Sequence, residues 1–509
     1  MKEVKVIDIF AGPGGLGEGF HSFRKNVQKP TFSIGLSIEM DYFAHKTLLL
    51  RSFFRQFNNV PDEYYDFLKG QIIWDDLFKI YPKEFKAAQN EAWQATLGDV
   101  NNNEIDIKID SALQNEKKWV LVGGPPCQAY SVVGRSRNKG IKPNDHRLYL
   151  YKEYLRIIAK HNPPFFIMEN VKGLLSASVE NKSIFEQMRS DFKHPALIFD
   201  DINNNSNYTI YPLTANEYHK DLAGEYLLNP TDFIIKSEQY GIPQKRHRVI
   251  LLGIRDDLNL TAEDIEPITK QDEIPISNII DDLPIRRSGI SKGIDDRVTW
   301  DDILRSISNA SWYKQLSYTD SKLFRFMANK LSAKNLPGYR GVGNLSYAPS
   351  VGKKIAHSNW FYDKKLTGVS NHDTRAHIKL DLHRYFFYSC FGKVYCTSPT
   401  IDKLPEELLP KHKNVKSGKF KDRFKVQLSN SASATITSHI SKDGHYYIHP
   451  DPKQCRSLTV REAARIQTFP DNFFFCGPRT EQYKQVGNAV PPFLAFQIAR
   501  VVYKLLKKI

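Results

Sequence analysis

Two reactive side chains follow apolar runs in the first third of the sequence. In GGPPCQ, residues 123–128, the thiol of Cys127 follows two glycines and two prolines. These residues stiffen the loop and hold the thiol in one position. A lone cysteine is more often a buried structural residue, but this loop favours a nucleophile. In FFIMENV, Glu169 follows four apolar residues. Burial there would raise the pKa of its carboxyl group and let it donate a proton beside the thiolate.

Two arginines precede a third apolar run. Arg246 and Arg248 alternate in the segment QKRHR. In an extended chain, alternation places both side chains on one face. They could hold a phosphate or a base carbonyl, or form a solvated edge.

A glycine-rich turn, DIFAGPGG at residues 8–15, ends the first apolar run. Its glycines let the backbone approach a ligand, and the N-terminus of a following helix favours negative charge. Glu39 ends the second apolar run and could bind the two hydroxyls of a ribose. Together they predict a nucleoside-cofactor site. Gly98-Asp99 would be a further contact, although such a pair is more often just a turn.

Alternating strands and helices must position these groups. This alternation predicts an α/β fold with a mostly parallel sheet covered on both faces. Between residues 256 and 454 it fades into irregular sequence with scattered short strands, which indicates an inserted second domain. The Asn-rich stretch 176–232 is predicted as a long loop or a local insertion. Strands are predicted at Lys5–Phe10, Phe32–Ile38, Trp119–Val122, Pro164–Met168 and Arg248–Ile254, and helices at Gly17–Phe23, Leu148–Lys160, Thr459–Gln467 and Pro492–Leu506.

The positive charge is concentrated in the inserted domain. The chain of 509 residues has a net charge of +16, and residues 311–450 contain 23 lysines and arginines against 9 acidic residues. The same segment contains aromatic clusters and eight of the fifteen histidines. A basic, aromatic-rich domain is typical of a nucleic-acid-binding surface, although a basic solvated surface is the simpler alternative.

The remaining composition excludes several classes of protein. The five cysteines form no C-x-x-C pair, which argues against a zinc knuckle or a disulfide scaffold. No apolar run approaches the length of a membrane-spanning helix, and the N-terminus does not resemble a signal peptide. We therefore expect a globular, cytoplasmic protein without membrane association. The Asn-, Lys- and Ile-rich composition suggests an AT-rich genome, and hence a bacterium or a phage-infected cell.

The ordered motifs resemble those of the DNA (cytosine-5)-methyltransferases. The resemblance covers residues 1–255 and 455–509, and the order of its elements makes it specific. One departure is Glu238-Gln239, where the family usually has Asn-Ala. The motifs are DIFAGPGG (8–15), Glu39, GD (98–99), GGPPCQAYS (123–131), DHRLYL (145–150), MENVKGL (168–174), SEQYGIPQKRHR (237–248), SLTVREAARIQTFP (457–470) and QVGNAVPP (485–492).

This resemblance implies the Rossmann-like fold of AdoMet-dependent methyltransferases, with a mixed seven-stranded sheet. It implies a catalytic domain at 1–255, a target recognition domain at 256–454, and a C-terminal part at 455–509 that returns to the catalytic domain. S-adenosyl-L-methionine (AdoMet) would be the methyl donor, with no metal. The residues that would contact AdoMet are Phe10, Ala11, Gly12, Gly14, Glu39, Asp99, Pro126, Leu150 and Asn488.

The resemblance also implies a mechanism. Cys127 would add to C6 of a flipped-out cytosine, Glu169 would bind or protonate N3, and Arg248 would bind O2. Arg246 would support the loop.

The implied partner is double-stranded DNA. Gln128 and Ser131 would hold the loop and a phosphate, while Arg340 and Arg375 of the basic domain would contact the DNA and read bases. We expect a monomer and, in a restriction–modification system, a cognate endonuclease that acts on the same site without a stable complex.

Three alternatives remain open. A tRNA cytosine-5 methyltransferase would use the same residues, although such members are typically shorter in the recognition region. A non-catalytic DNA-binding regulator would not require Cys127, Glu169 and Arg248 together. Small-molecule methylation would leave the basic domain unexplained. His372, Arg375 and His377 could suggest a metal cluster, but a hydrogen-bonded structural motif is the better interpretation because a fourth ligand is missing.

Overall fold

The computed structural model describes residues 3–25, 30–126, 150–179, 181–202, 204–214, 219–221, 226–332, 337, 340, 355–410 and 423–509. The chain divides into two compact units. The first comprises Met1–Asn58, Tyr81–Asp272 and Ala489–Ile509, and the second comprises Asn59–Ile80 and Glu273–Asn488.

The regular elements are numbered in chain order over the described residues. The strands are β1 Val4–Ile9, β2 Phe32–Glu39, β3 Ala92–Gln94, β4 Trp119–Gly123, β5 Phe165–Val171, β6 Ser178–Val179, β7 Lys182–Ser183, β8 Tyr208–Tyr211, β9 Ile234–Lys236, β10 Gln244–Lys245, β11 His247–Arg255, β12 Gly289–Ile290, β13 Ala376–His377 and β14 Ser433–Ala434. The α-helices are α1 Gly15–Ser22, α2 Tyr42–Arg55, α3 Asp62–Lys69, α4 Trp74–Ile80, α5 Pro82–Glu91, α6 Asn102–Leu113, α7 Leu150–His161, α8 Ile184–Lys193, α9 Ser277–Ile280, α10 Arg297–Arg305, α11 Ser311–Thr319, α12 Ser321–Leu331, α13 Ser358–Phe361, α14 Lys379–Tyr395, α15 Val460–Ile466, α16 Arg479–Asn488 and α17 Pro492–Leu506.

A mixed sheet forms the centre of the first unit. Its order is β3-β2-β1-β4-β5-β11-β8, and β9 also pairs with β11. The strands from β3 to β5 are parallel, while β11 is antiparallel to both of its neighbours in this order. The predicted α/β class and mixed sheet are confirmed. The sheet has eight strands instead of the seven that the resemblance implied, because the short strand β9 also pairs with β11.

Helices cover both faces of this sheet. Alternate residues of β1 point to opposite faces, as the period of a strand requires. Ile7 and Ile9 belong to one apolar cluster with residues of α6 and α7, whereas Val4 and Val6 belong to a second cluster with residues of α1 and α17. The buried strands therefore consist of nearly continuous apolar residues.

The C-terminal helix α17 packs against α1. A Cβ atom at Gly19 would lie 2.4 Å from both the Ala495 Cβ and the Pro492 carbonyl oxygen, and one at Gly15 would lie 2.2 Å from the Val490 oxygen. Only glycine permits this approach. The expected packing of the C-terminal end against the N-terminus is confirmed for α17.

The second unit is more helical than the sequence suggested. Where irregular sequence with scattered strands was expected, the chain forms α10, α11, α12 and the 17-residue α14, and its strands are only two residues long. Trp300, Leu382 and Phe387 lie in its apolar core. The prediction of a long loop at 176–232 is also wrong in part, because this stretch contains α8 and β8. Helix α14 was missed because it buries aromatic side chains on several sides and so has no one-sided periodicity.

One described stretch has the length and hydropathy of a membrane-spanning helix. It runs from Arg479 to Leu506, and 72% of its apolar window is buried inside the protein. The core helix of a globular protein shows the same features.

Candidate functional site

The sequence-predicted groups of the first unit follow neighbouring strands of the sheet. Strands β2, β1, β4 and β5 are parallel neighbours, so their carboxyl ends meet at one edge. Open α/β sheets bind ligands at this edge. The glycine turn follows β1, Glu39 ends β2, the GGPP loop follows β4, and Glu169 lies near the end of β5.

The Glu39 carboxylate is joined to the glycine turn. One oxygen accepts a 2.7 Å hydrogen bond from the Gly12 N–H, and the other accepts a 2.7 Å bond from the Asp41 N–H. The Ala11 N–H donates to the Ile38 carbonyl oxygen at 3.0 Å, which ties the turn to the end of β2. Burial raises the pKa of Glu39 above its ordinary value.

The turn itself needs an unusual backbone. Gly12 and Gly14 have φ angles of 59° and 97°, and Phe10 also has a positive φ of 55°. A Cβ atom at Gly12 would have no atom within 4 Å, so the space beside this residue is open. Open space beside a buried acid suits a nucleoside cofactor.

Asp8 lies beneath the turn, and sequence reasoning did not select it as a functional residue. Its Oδ2 accepts a 3.2 Å hydrogen bond from the Gly17 N–H in the first turns of α1. Complete burial raises its pKa to about 7. The available signal was an acidic residue within an otherwise apolar strand.

Glu169 and Arg248 form an ion pair, with 2.8 Å between the Arg248 Nε and the Glu169 Oε1. The antiparallel register of β5 and β11 places Glu169 opposite Ile250, so Arg248 is the diagonal neighbour on the same face. Both side chains are largely buried. A Cβ atom at Gly124 would lie 3.1 Å from Glu169 Oε2, so the GGPP loop passes close to this carboxylate.

Arg246 is buried just before β11. Its carbonyl oxygen accepts hydrogen bonds from the N–H and the hydroxyl group of Ser237, at 3.2 Å and 2.6 Å. Glu238, the first residue of the Glu-Gln departure, contacts His247 Nε2 at 2.8 Å. The departure thus places a side-chain hydrogen bond in the same loop.

The other predicted cofactor residues lie in four separate segments of the chain. Asp99 is exposed in a turn, and Leu150 is the first residue of α7. Pro126 is partly buried and is the last described residue of its loop. Asn488 is exposed at the end of α16 and is the last residue of the second unit. Cys127, Gln128 and Ser131 lie outside the described residues, so their predicted roles stay predictions.

The two predicted DNA-contacting arginines lie in the second unit. Arg340 forms an ion pair with Asp295. Arg375 is buried and donates to the carbonyl oxygens of Lys442 and Ile440. Both guanidinium groups therefore have protein partners, and their contact with DNA stays a prediction.

His372 is a hydrogen-bonded structural residue, as interpreted from the sequence. Its ring nitrogens lie 2.8 Å from the Thr459 hydroxyl and 2.8 Å from the Pro284 carbonyl oxygen. Burial lowers its pKa to about 3. Among the residues that the structure describes, no group of three or more His, Cys, Asp and Glu side chains could hold a metal ion.

The mixed sheet, with its glycine turn and the acid that ends β2, defines a Rossmann-like methyltransferase. The model of the C-5 cytosine-specific DNA methylase family matches residues 63–195 and 225–504. The chain belongs to this family. It is a DNA (cytosine-5-)-methyltransferase of the type II restriction–modification kind.

Individual relatives match over nearly the whole chain. It is 32% identical to the type II methyltransferase M.Bpa9945I of Bacillus paralicheniformis, over 98% of each chain. It is 23% identical to the DNA (cytosine-5-)-methyltransferase M.ApeKI of Aeropyrum pernix, over 99% of each. A crystal structure of a prophage-encoded DNA modification methyltransferase from E. coli matches with a TM-score of 0.52 and 18% identity, covering 99% of this chain and all of that one. This last likeness supports the fold.

Proposed function

We propose that the protein methylates C5 of a cytosine flipped out of double-stranded DNA, with AdoMet as methyl donor, through a covalent bond between Cys127 and C6. The observation that carries this proposal is the Glu169–Arg248 ion pair beside the GGPP loop. This pair brings together a carboxylate and a guanidinium group that can bind the polar edge of a base, next to the loop that leads to Cys127. We further propose that it is the modification enzyme of a restriction–modification system, paired with an endonuclease that it does not bind stably.

AdoMet would be held at the carboxyl ends of β1 and β2. Glu39 would bind the ribose hydroxyls, and the turn containing Phe10, Ala11, Gly12 and Gly14 would approach the rest of the molecule. Asp99, Pro126, Leu150 and Asn488 stay predicted contacts. The bound cofactor supplies an electrophilic methyl group. No metal is required for this chemistry.

The chain's own residues would activate the base. The Cys127 thiolate adds to C6, which turns C5 into an enamine-like carbon nucleophile. Glu169 binds N3 and the exocyclic amine, while Arg248 binds O2 and offsets the charge that develops on the ring. After methylation, loss of the C5 proton expels the thiolate. The target atom cannot be reached inside a duplex, so the base must flip out at a cost of a few kcal/mol.

The second unit contains most of the segment 256–454 that we propose as the target recognition domain. Its basic segment, residues 311–450, would contact the DNA backbone, with Arg340 and Arg375 as candidate contacts and Gln128 and Ser131 near the extruded nucleotide. We propose that the enzyme acts as a monomer in the cytoplasm.

The test is expression of the wild-type chain and of Cys127→Ser in a bacterial host without cytosine methylation, followed by base-resolution mapping of 5-methylcytosine. We expect methylation at one short motif for the wild type and none for Cys127→Ser. Cys396→Ser is the matched control, because Cys396 is a free, exposed cysteine of the second unit. An unmarked genome from folded, AdoMet-binding protein would refute DNA modification and direct attention to RNA or to a binding role.

Conservative changes test the ion pair separately. Glu169→Gln and Arg248→Lys should each lower kcat by about 10²–10⁴-fold, because the developing charge on the ring loses an oriented partner. AdoMet affinity, measured by calorimetry, should stay within about threefold of the wild type. Lys236→Gln, an exposed change in neighbouring β9, is the control and should leave kcat unchanged. Full activity of Arg248→Lys would remove Arg248 from the mechanism.

A further inference from the structure

A polar cavity of about 290 Å³ lies within the second unit. The residues that matter for its chemistry are Arg375, His377, Lys442, His445, Arg479 and Tyr483. Apart from Arg375, which is a candidate DNA contact, the residues of this lining have no role in the function proposed above. Its lining indicates the kind of molecule that it binds.

His377 is the most informative residue of the lining. Its side chain is buried, with 5% exposure, and its Nε2 has no hydrogen-bond partner among the described residues. The other ring nitrogen lies 3.4 Å from the hydroxyl of Tyr385, which in turn lies 2.6 Å from His445 Nδ1. A buried polar atom without a partner costs about 1–3 kcal/mol. A ligand in the cavity would supply that partner.

The charges around His377 favour an anion. Burial lowers the pKa of this histidine well below its ordinary value, and His445, Arg375, Arg479 and Arg340 act in the same direction. An anion bound among these groups would offset their mutual repulsion. The anion would also accept a hydrogen bond from the Nε2–H of His377.

The acidic residues of the lining already have partners. Asp381 pairs with Arg384 at 2.8 Å, and Asp443 lies 3.6 Å from Arg423. Arg375 is fixed by two carbonyl oxygens and lies 4.2 Å above the ring of Tyr483. A rigid arginine needs little ordering when it binds a ligand.

Two helices begin at the cavity. Ile378, which lines it, immediately precedes the 17-residue α14, and Arg479 and Thr480 are the first residues of the 10-residue α16. Backbone N–H groups and the positive end of the helix dipole favour anions at such positions. These helix ends add to the positive potential of the arginines near His377, whose Nε2 has no partner among the described residues.

We propose that this cavity is a phosphate-binding site, in which His377 Nε2, Arg479 and Lys442 contact the phosphate oxygens and Arg375 supplies fixed positive charge. The phosphate group belongs either to the DNA backbone or to a small phosphorylated molecule, including inorganic phosphate. The first of these sources rests on the proposed DNA function, and the second does not.

The first arm measures inorganic phosphate binding to the full chain by titration calorimetry at constant ionic strength. We expect one saturable site in the wild type and a Kd raised at least about tenfold in His377→Phe. Phenylalanine keeps an aromatic ring at the position that packs 4.8 Å from Tyr385. It removes Nε2 and also the 3.4 Å contact of Nδ1 with the Tyr385 hydroxyl, but that hydroxyl keeps its 2.6 Å contact with His445, so this variant should fold. A thermal melt without phosphate checks the folding of this variant. Lys442→Gln, a change at an exposed side chain of the lining, should also weaken phosphate binding.

The control for Lys442→Gln is Lys364→Gln, which removes one positive charge at an exposed site of the second unit outside the cavity lining. It should bind phosphate as the wild type does.

The second arm measures duplex DNA binding by fluorescence anisotropy at several salt concentrations. If the site holds a DNA phosphate, His377→Phe weakens binding equally for different sequences, and inorganic phosphate competes with the duplex more than chloride does at equal ionic strength. If the site holds a small phosphorylated molecule, phosphate binds but duplex affinity is unchanged in the variant. Absence of saturable phosphate binding, together with unchanged duplex binding in the variants, overturns the proposal. That result leaves the methylation map unaffected, so the two failures are distinguishable.

Discussion

The Asp8 carboxyl group has a high pKa because it is buried beneath the glycine turn without enough charge compensation. Its pKa is about 7, against 3.8 for an exposed aspartate. The folded protein therefore binds a proton between these pH values that the unfolded chain releases. Stability supplied by this proton is complete below pH 4 and is lost as the pH rises towards 7.

Asp8→Asn imitates the protonated carboxyl group and should remove this loss. We expect the variant to unfold at the same temperature as the wild type near pH 4, and at a higher temperature at pH 8. The difference corresponds to at most about 4 kcal/mol in the free energy of unfolding, because the pKa rises by about three and each pH unit is worth about 1.36 kcal/mol. Thermal melts across this pH range provide the measurement, and Asp272→Asn, the same change at an exposed acid of the first unit outside the turn, is the control. A wild type that gains stability relative to Asp8→Asn as the pH rises would contradict the expectation.

Residue type and position along the chain selected the candidate site residues. Cys127, Glu169 and Glu39 were selected because each follows an apolar run, and Arg248 because it precedes one. The structure places Glu39, Glu169 and Arg248 at the carboxyl edge of the sheet. The direct Glu169–Arg248 pair was not predicted, because it depends on the register between β5 and β11, which distant parts of the chain determine. Asp8 was missed because its raised pKa results from its burial, which the sequence does not show.

At the scale of elements, apolar patterning predicted the five central strands to within three residues at each end. The second unit was harder to predict. Helix α14 has buried aromatic residues on several sides, including Tyr385, Phe386, Phe387 and Tyr388, so it lacks the one-sided pattern of a surface helix. A helix inside a core is recognised by its packing partners, which the sequence alone does not specify.

The contact between α1 and α17 gives a prediction at this scale. Gly19→Ala should lower the free energy of unfolding by about 1–3 kcal/mol, because the new methyl group would meet the Pro492 carbonyl oxygen and Ala495 at 2.4 Å. Alanine is otherwise the better helix former, so propensity alone would predict the opposite sign.

Gly35→Ala is the matched control for this change. A Cβ atom there would have its nearest neighbour at 3.4 Å, the Ala112 carbonyl oxygen, so the added methyl group should be tolerated. Urea titrations of both variants give the comparison. Equal stability of Gly19→Ala and the wild type would mean that the two helices can separate without cost.

At the scale of the whole molecule, positive charge is divided unequally between the two units. The net charge of +16 comes almost entirely from residues 311–450, in the second unit. The proposed catalytic groups of the first unit instead form internal pairs such as Glu169–Arg248. Under the proposed function, this division would let attraction to the DNA backbone bring the enzyme to DNA of any sequence, while base contacts would select the site.

Duplex binding should therefore depend strongly on salt, and AdoMet binding should not. If the basic segment neutralises about six to ten phosphates, duplex affinity falls about 10³–10⁵-fold between about 50 and 200 mM salt. Anisotropy with a labelled duplex measures this slope, and calorimetry with AdoMet at the same salt concentrations is the control. A variant tests this with three exposed lysines of the basic segment replaced by glutamine: Lys314, Lys322 and Lys442. The slope of log affinity against log salt concentration should become shallower by up to about three, because the DNA keeps one counterion for each phosphate contact that is lost. A duplex affinity that changes no more with salt than the AdoMet affinity does would show that the basic segment does not contact the DNA backbone.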